Sequence, residues 1–306
     1  IAEITQKPLF PKEHFENMRN TFSSNLDRMK DFPQYYGAHL WAEMFFGKNS
    51  NLLNREGSKT SMRMMSRKKM IDWYQEHYVP RNMCLAIVGD FNFEETIANC
   101  EHLFFQKKSS VYHSHQNPII NSAKNHFKRN NKDLNQANIH WGGLACSLEN
   151  HQKSTAFHVL SQIIGGDTNS LLFQELREKR GLSYSSHFGY TSMQNTGFYN
   201  LSTVVDKKRE QETLDVINNI LEQIKENGIT QEDLQKTKNY IRGQRLLDQE
   251  SVLSQAQTLS TLESLGLGYE FYLNRESRLN NVDVETISEL AREYFKQDNY
   301  YIHILD

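Results

Sequence analysis

The stretch of this sequence richest in chemically able groups is Gly165-Gly166-Asp167-Thr168-Asn169-Ser170-Leu171-Leu172-Phe173-Gln174-Glu175-Leu176-Arg177-Glu178-Lys179-Arg180-Gly181-Leu182-Ser183-Tyr184. Arg177 and Tyr184 stand seven apart. A guanidinium and a phenol are strong hydrogen-bond donors. Taken as an isolated pair they read as a surface cation and a strand aromatic. The local pattern places both. Gly165-Gly166 ends one helix, and Asp167, Thr168 or Asn169 caps the next. Leu172, Phe173 and Leu176 share a face of that second helix, Gly181 stops it, and Tyr184 opens a strand.

Other familiar chemistries are missing their parts. Gly165-Gly166 is not followed by the lysine of a phosphate loop, and no GxGxxG or GxSxG occurs. No two histidines stand in HxxEH or HExxH. Glu76-His77 and Glu101-His102 are the nearest fragments, and each lacks the second histidine. His39 and Glu43, one helical turn apart, have the spacing of a weak ion pair. His113 and His115 form a His-x-His in a polar stretch that supplies no third ligand. Cys84, Cys100 and Cys146 show no CxxC spacing and read as buried or half-buried thiols.

The elements that must position these groups are partly duplicated. Ser66 to Tyr74 reads as a capped helix leading to Glu76-His77-Tyr78, then Asn82 and the β-type run Met83-Cys84-Leu85-Ala86-Ile87-Val88, closing at Asp90. Shifted by 217, Asp283 caps a similar helix leading to Tyr294-Phe295, then Asn299 and Tyr300-Tyr301-Ile302-His303-Ile304-Leu305, closing at Asp306. Upstream, the acidic helix start at Pro11–Glu16 resembles Thr230–Gln235. The second copy carries, before Thr230, strands near 138–147, 183–191 and 197–205 and a helix near 151–164. The first copy begins at the counterpart of about residue 220, so about 90 residues of it are expected to be missing. The chain opens Ile-Ala-Glu, as a processed or trimmed product would.

Composition bounds the rest. With 306 residues and ~150 residues per domain, two domains are expected. At 38% hydrophobic and 11% aromatic the chain can build cores. Lys+Arg 35 against Asp+Glu 37 gives no general electrostatic grip on nucleic acid or anionic lipid. No apolar run approaches the ~18 residues of a membrane span.

Two sets of residues resemble the pitrilysin/insulinase-type zinc peptidases, whose zinc motif is the inverted HxxEH. In the first copy these are His77-Tyr78-Val79-Pro80-Arg81-Asn82-Met83, the apolar run that follows, and Gly89-Asp90. In the second they are Gly165-Gly166, Ser170, Leu172-Phe173, Glu175-Leu176-Arg177-Glu178-Lys179-Arg180-Gly181-Leu182-Ser183-Tyr184 and Gly197-Phe198. The resemblance covers essentially the whole chain. It implies that Arg177 and Tyr184 bind the substrate backbone and stabilise the transition state at an active site carried elsewhere. It also implies that HxxEH belongs to the missing part of the first copy. The third zinc ligand, a glutamate, would stand just before Asp31-Phe32-Pro33. Ser24 or Asn25 stands there instead, and neither replaces an ionised carboxylate on zinc; a one-turn shift would recruit Asp27.

The expected fold class is α+β, with two related modules, each an antiparallel-rich mixed sheet with helices packed on one face, the first incomplete. The expected boundaries are 1–105 for the truncated first module, 106–122 for a linker and 123–306 for the second module. No metal and no cofactor is expected in this chain; zinc would sit on a partner. The leading expectation is a non-catalytic substrate-binding subunit that lends Arg177 and Tyr184 to an HxxEH-containing peptidase subunit, with peptide as substrate. The alternatives are an amino-terminally truncated active zinc endopeptidase and a purely structural assembly subunit. A bare sheet edge in the first module would be covered by a partner or by a second copy of the fragment. Family habit points to the periplasm.

Overall fold

A computed structural model of the chain describes residues 1–47, 57–104 and 127–306. The expected linker at 106–122, with His113 and His115, lies outside the described residues. Two compact units interleave along the chain. Unit 1 comprises Ile1–Arg28, Glu56–Gln116 and Gln244–Asn274; unit 2 comprises Met29–Arg55, Asn117–Gly243 and Arg275–Asp306.

The first helices are α1 Ala2–Gln6, α2 Lys12–Arg28, α3 Pro33–Phe46, α4 Lys59–Met64, α5 Arg67–His77 and α6 Phe93–Phe104. Strands β1 Phe127–Asn130 and β2 Gln136–Ala145, helix α7 His151–Gly165, and strands β3 Ser183–Ser192 and β4 Gly197–Asp206 follow. The chain continues through α8 Glu210–Asn227, α9 Gln231–Glu250, α10 Val252–Ser264, α11 Gly268–Leu273, α12 Arg275–Asn280 and α13 Val284–Tyr294 to β5 Tyr301–Leu305. No described helix is long and apolar enough to cross a membrane.

All five described strands belong to one sheet in unit 2, ordered β1-β5-β2-β4-β3. β1 pairs with β5 in parallel and every other pairing is antiparallel, so the α+β class with an antiparallel-rich mixed sheet is what forms. Alternation sorts the side chains. Ile139 and Trp141 of β2, Tyr199 and Leu201 of β4 and Phe188 of β3 are buried on one face. Helices α7, α8 and α13 cover that face with Phe157, Leu160, Ile164, Ile217, Leu221, Ile287 and Leu290. In α8, Val216, Ile217, Ile220, Leu221 and Ile224 form an apolar stripe at helical spacing. Each large apolar side chain buried there contributes roughly 1.5–3 kcal/mol of transfer free energy.

Helix α3 lies on the opposite face, so the helices are not confined to one side. Its Trp41 donates from Nε1 to the carbonyl of Tyr301 at 2.8 Å. Its Phe45 and Phe46 pack on Phe198, and Phe45 on Tyr301. Short helices flanked by polar sequence give no local sign of which sheet they will join. Here the aromatic end of α3 decides.

The duplication is geometric as well as sequential. α5 and α13 have equal length, and both are capped at the expected residue. Ser66 Oγ accepts from Lys69 N at 3.2 Å, and Asp283 Oδ1 accepts from Thr286 N at 2.7 Å. Each helix is followed by a 3₁₀ turn, Pro80–Asn82 and Gln297–Asn299. In each, an asparagine amide returns to the helix end: Asn82 Nδ2 to His77 O at 3.3 Å, Asn299 Nδ2 to Tyr294 O at 2.7 Å. A cation from the preceding long helix also repeats, Arg19 donating to Met65 O at 3.4 Å and Lys238 to Val282 O at 2.5 Å.

The repeat ends in a difference. β5 is a strand because β1 and β2 flank it. Its counterpart Met83–Val88, expected to be β-type, pairs with no described strand, and unit 1 contains no sheet among the described residues. Met83 has extended dihedrals, φ −118 and ψ 140. Leu85 and Ile87 are exposed at 46% and 43% while Ala86 and Val88 are half-buried, the alternation of a strand without its ladder.

Candidate functional site

Arg177 and Tyr184 meet at the β3 edge of the sheet. Arg177 sits on a π-helical turn, Phe173–Glu178, in which Lys179 N reaches back five residues to Gln174 O at 2.9 Å. Such turns hold one residue more than an α-helical turn and recur at functional sites. Leu172 and Leu176 are fully buried and anchor this turn on the core, while Arg177 is exposed. Gly181, at φ +58, then turns the chain where a side chain would be strained, and Leu182 N closes onto Leu176 O at 2.6 Å.

The start of β3 is bulged. Ser183 pairs with Val205 and Ser186 with Thr203, so one residue too many stands around Tyr184 and Ser185. Hydroxyls pin the bulge. Ser183 Oγ lies 2.8 Å from Ser185 O and 3.0 Å from Val204 O, and accepts from Thr203 Oγ1 at 2.8 Å. Tyr184 is left 82% exposed.

The arginine is held by this arrangement. Its Nη1 donates to Tyr184 O at 3.2 Å. Its guanidinium carbon lies 4.4 Å from the centre of the Tyr184 ring and 5.0 Å from that of Phe173. Two rings and one backbone carbonyl thus restrict an exposed cation, each cation–π contact being worth ~0.5–1 kcal/mol at exposed sites. Behind it, Glu175 accepts from Lys179 at 2.5 Å and from Arg180, and Arg209 donates to Arg180 O at 3.0 Å. Lys179 first, then Arg180, holds the Glu175 carboxyl below its ordinary range, against the opposing effect of burial. The result is a preorganised pair of donors, a guanidinium and a phenol, on an edge strand. Such donors suit a carbonyl or an oxyanion.

The sequence pointed to Arg177 and Tyr184, and the fold brings them together. It did not point to the Phe173 platform or to the bulge. The available signal was the run Ser183-Tyr184-Ser185-Ser186, in which small hydroxyl residues flank the tyrosine.

The described residues do not fit zinc. Ser24 and Asn25 are exposed on α2, and Asp27 is ion-paired with Lys59 at 2.5 Å. Among the described residues no three His, Cys, Asp or Glu converge to hold a metal ion. His77 is stacked on Trp73 at 4.4 Å, and His39 on Tyr36 at 6.5 Å. Cys84, Cys100 and Cys146 are free thiols. Burial pushes Cys146 up to about 11, far from a reactive thiolate. A cavity of about 670 Å³ opens elsewhere in unit 2, between the start of α3 and the ends of β2 and β4; neither Arg177 nor Tyr184 lines it.

Comparison with known proteins extends this picture. The sequence model of the Peptidase M16 inactive domain matches residues 65–241, more than half of the chain. An uncharacterized zinc protease of Bacillus subtilis is 23% identical over 97% of this chain and 72% of its own length. One from Mycobacterium leprae is 24% identical over 96% of this chain, which spans 66% of that relative. The solved structure of a peptidase M16 inactive domain from Pseudomonas fluorescens has a TM-score of 0.83 at 17% identity, covering 99% of this chain and 73% of that one. At that identity the likeness concerns the fold.

Proposed function

This chain belongs to the M16 peptidase family, and from that premise we propose that it is a non-catalytic, substrate-binding subunit of a two-subunit zinc peptidase. The observation that carries the reading is the contrast between its two halves. Arg177 and Tyr184 are exposed, braced and ready to donate, whereas the helix that should present a zinc-binding glutamate presents Ser24 and Asn25. The zinc site belongs to a partner chain bearing HxxEH. There the bound metal supplies a nucleophilic water at neutral pH. This chain's part is to bind the peptide and to hold charge. The outer edge of β3, unpaired among the described strands, offers main-chain donors and acceptors to an extended peptide, which gives weak sequence preference. Arg177 and Tyr184 then donate to the carbonyl under attack.

A second reading, an active zinc endopeptidase of which this sequence is a part, is favoured by the names of the relatives, which are zinc proteases. One experiment separates them. The full-length product is assayed for zinc and peptide hydrolysis, alone and mixed with an HxxEH subunit. Absence of both alone, with activity on mixing that Arg177→Ala lowers ~10²–10³-fold, is the expected result. Zinc near one per chain with activity alone establishes the second reading. Mixed activity indifferent to Arg177→Ala leaves a structural assembly subunit.

A further inference from the structure

Beneath α3 the sheet carries a pair of histidines that the site above does not use. His140 on β2 and His303 on β5 are register partners, so their side chains are cross-strand neighbours on the face that α3 covers. They are 4% and 0% exposed. The His140 ring bonds the Asn200 side chain and the backbone of Gln34 in the first turn of α3, and His303 Nε2 lies 3.1 Å from Asn130 Oδ1. The Nδ1 atom of each is buried without a hydrogen-bond partner among the described residues. Helix α3 comes close because residue 37 is glycine; a Cβ there would stand 2.9 Å from His140 Nε2. A second proton on the buried His303 ring therefore creates an N–H with no acceptor among the described residues, beside another imidazole.

We propose that His140 and His303 form an acid-operated latch, which holds α3 on the sheet while both rings are neutral and releases it when they are protonated. The neighbouring titratable groups do not relieve the charge. Those on the elements packed around the pair are Tyr35, Tyr36, His39 and Glu43 on α3, Lys128 and Arg129 on β1, Tyr301 on β5, Tyr199 and Asp206 on β4, and Asp306 beyond β5. No carboxylate among them acts on either ring, and the Oδ2 of Asp306 is held by Arg129. Burial holds the His140 ring down to about 4, against the opposing effect of its hydrogen bonds to the Asn200 side chain and the Gln34 backbone. Burial, then His140 and Lys128, holds His303 down to about 4. A ring whose docked value lies below its free value of 6.5 favours docking above 6.5 and loses that contribution as pH falls toward 4. At pH 4.5 the two rings together shift the equilibrium on the order of 10³-fold toward release. Release uncovers Phe198 and Tyr301, on which the aromatic end of α3 packs. The latch does not depend on the peptidase reading.

The test is hydrogen exchange of the full chain between pH 7 and pH 4, corrected for intrinsic rates and read by mass spectrometry in peptides from α3 and from α7. The expected result is loss of protection in α3 between pH 5.5 and pH 4, with α7 still protected. The His140→Gln/His303→Gln double variant should hold α3 to a pH at least one unit lower. Loss of protection in α3 and α7 together, or an unchanged α3 midpoint in the double variant, overturns the proposal. Should that variant not fold, imidazole NMR of the unaltered chain decides. Rings that protonate only with the loss of α3 protection support the latch, and a ring that titrates above pH 6 with α3 still protected ends it.

Discussion

At the scale of single residues, the site is a cation and a phenol fixed by neighbours. Arg177 makes one backbone hydrogen bond and two ring contacts, and Tyr184 stands on a bulge. Because both are exposed, their removal should have a modest effect on folding. Arg177→Ala is expected to cost no more than ~1–2 kcal/mol in urea unfolding, the worth of its two ring contacts, and, on the proposed reading, to lower the activity of the mixed enzyme ~10²–10³-fold. Tyr184→Phe keeps the ring that the guanidinium packs on and removes the donor. Its effect should be confined to turnover of the mixed enzyme, about 10-fold or more. Glu175 offers a pH signature. Its carboxyl is held low by Lys179 and then Arg180, so the stabilisation is present above the unfolded value near 4.5 and is lost as pH falls through the lower folded value. Both partners reach solvent, which discounts the effect. Glu175→Gln should cost about 0.5 kcal/mol at pH 7, and the difference from the unaltered chain should vanish by pH 3 in paired unfolding curves. Arg177 and Tyr184 are singled out by the family that their segment resembles. Their mutual geometry could not be read from the sequence, since it depends on a register jump against Val205 and Thr203, distant in sequence.

At the scale of elements, the same helix–turn–strand unit has two fates. The helix, cap, 3₁₀ turn and returning asparagine form in both copies because every contact is local. The strand forms only where other strands lie beside it. Met83–Val88 should therefore exchange its amide hydrogens in seconds at pH 7, whereas those of β5 should be protected by their ladder. Leu85→Lys and Ile87→Lys should each cost no more than ~0.5 kcal/mol in this chain. A cost above 2 kcal/mol at either position would mean that another strand covers it. Helix α3 shows the converse. Nothing in its own sequence says which sheet it will join, yet Trp41, 3% exposed and bonded to Tyr301 O, fixes it there. Trp41→Ala should destabilise unit 2 by about 3–5 kcal/mol, measured by chemical denaturation.

At the scale of the molecule, the two units are unequally built. Unit 2 holds the sheet and nearly every buried apolar side chain, while in unit 1 only Phe15, Tyr74 and Val79 are buried among the apolar residues described. Calorimetry should show two transitions, with unit 1 peptides losing exchange protection in the first. A single coincident transition would mean the units share their stability. The sequence by itself determined what rests on neighbours along the chain: the caps at Ser66 and Asp283, the helix stop at Gly181, the repeat at a shift of 217, and the Arg177 and Tyr184 pair with the family that they resemble. Only the tertiary structure decided that Met83–Val88 pairs with no described strand, that α3 lies on the face of the sheet away from α7, α8 and α13, that Tyr184 stands on a bulge, and that His140 meets His303. The physical reason is common to all four. Strand pairing, helix docking and burial are completed by residues far away in sequence, and local propensity carries no information about whether those partners arrive.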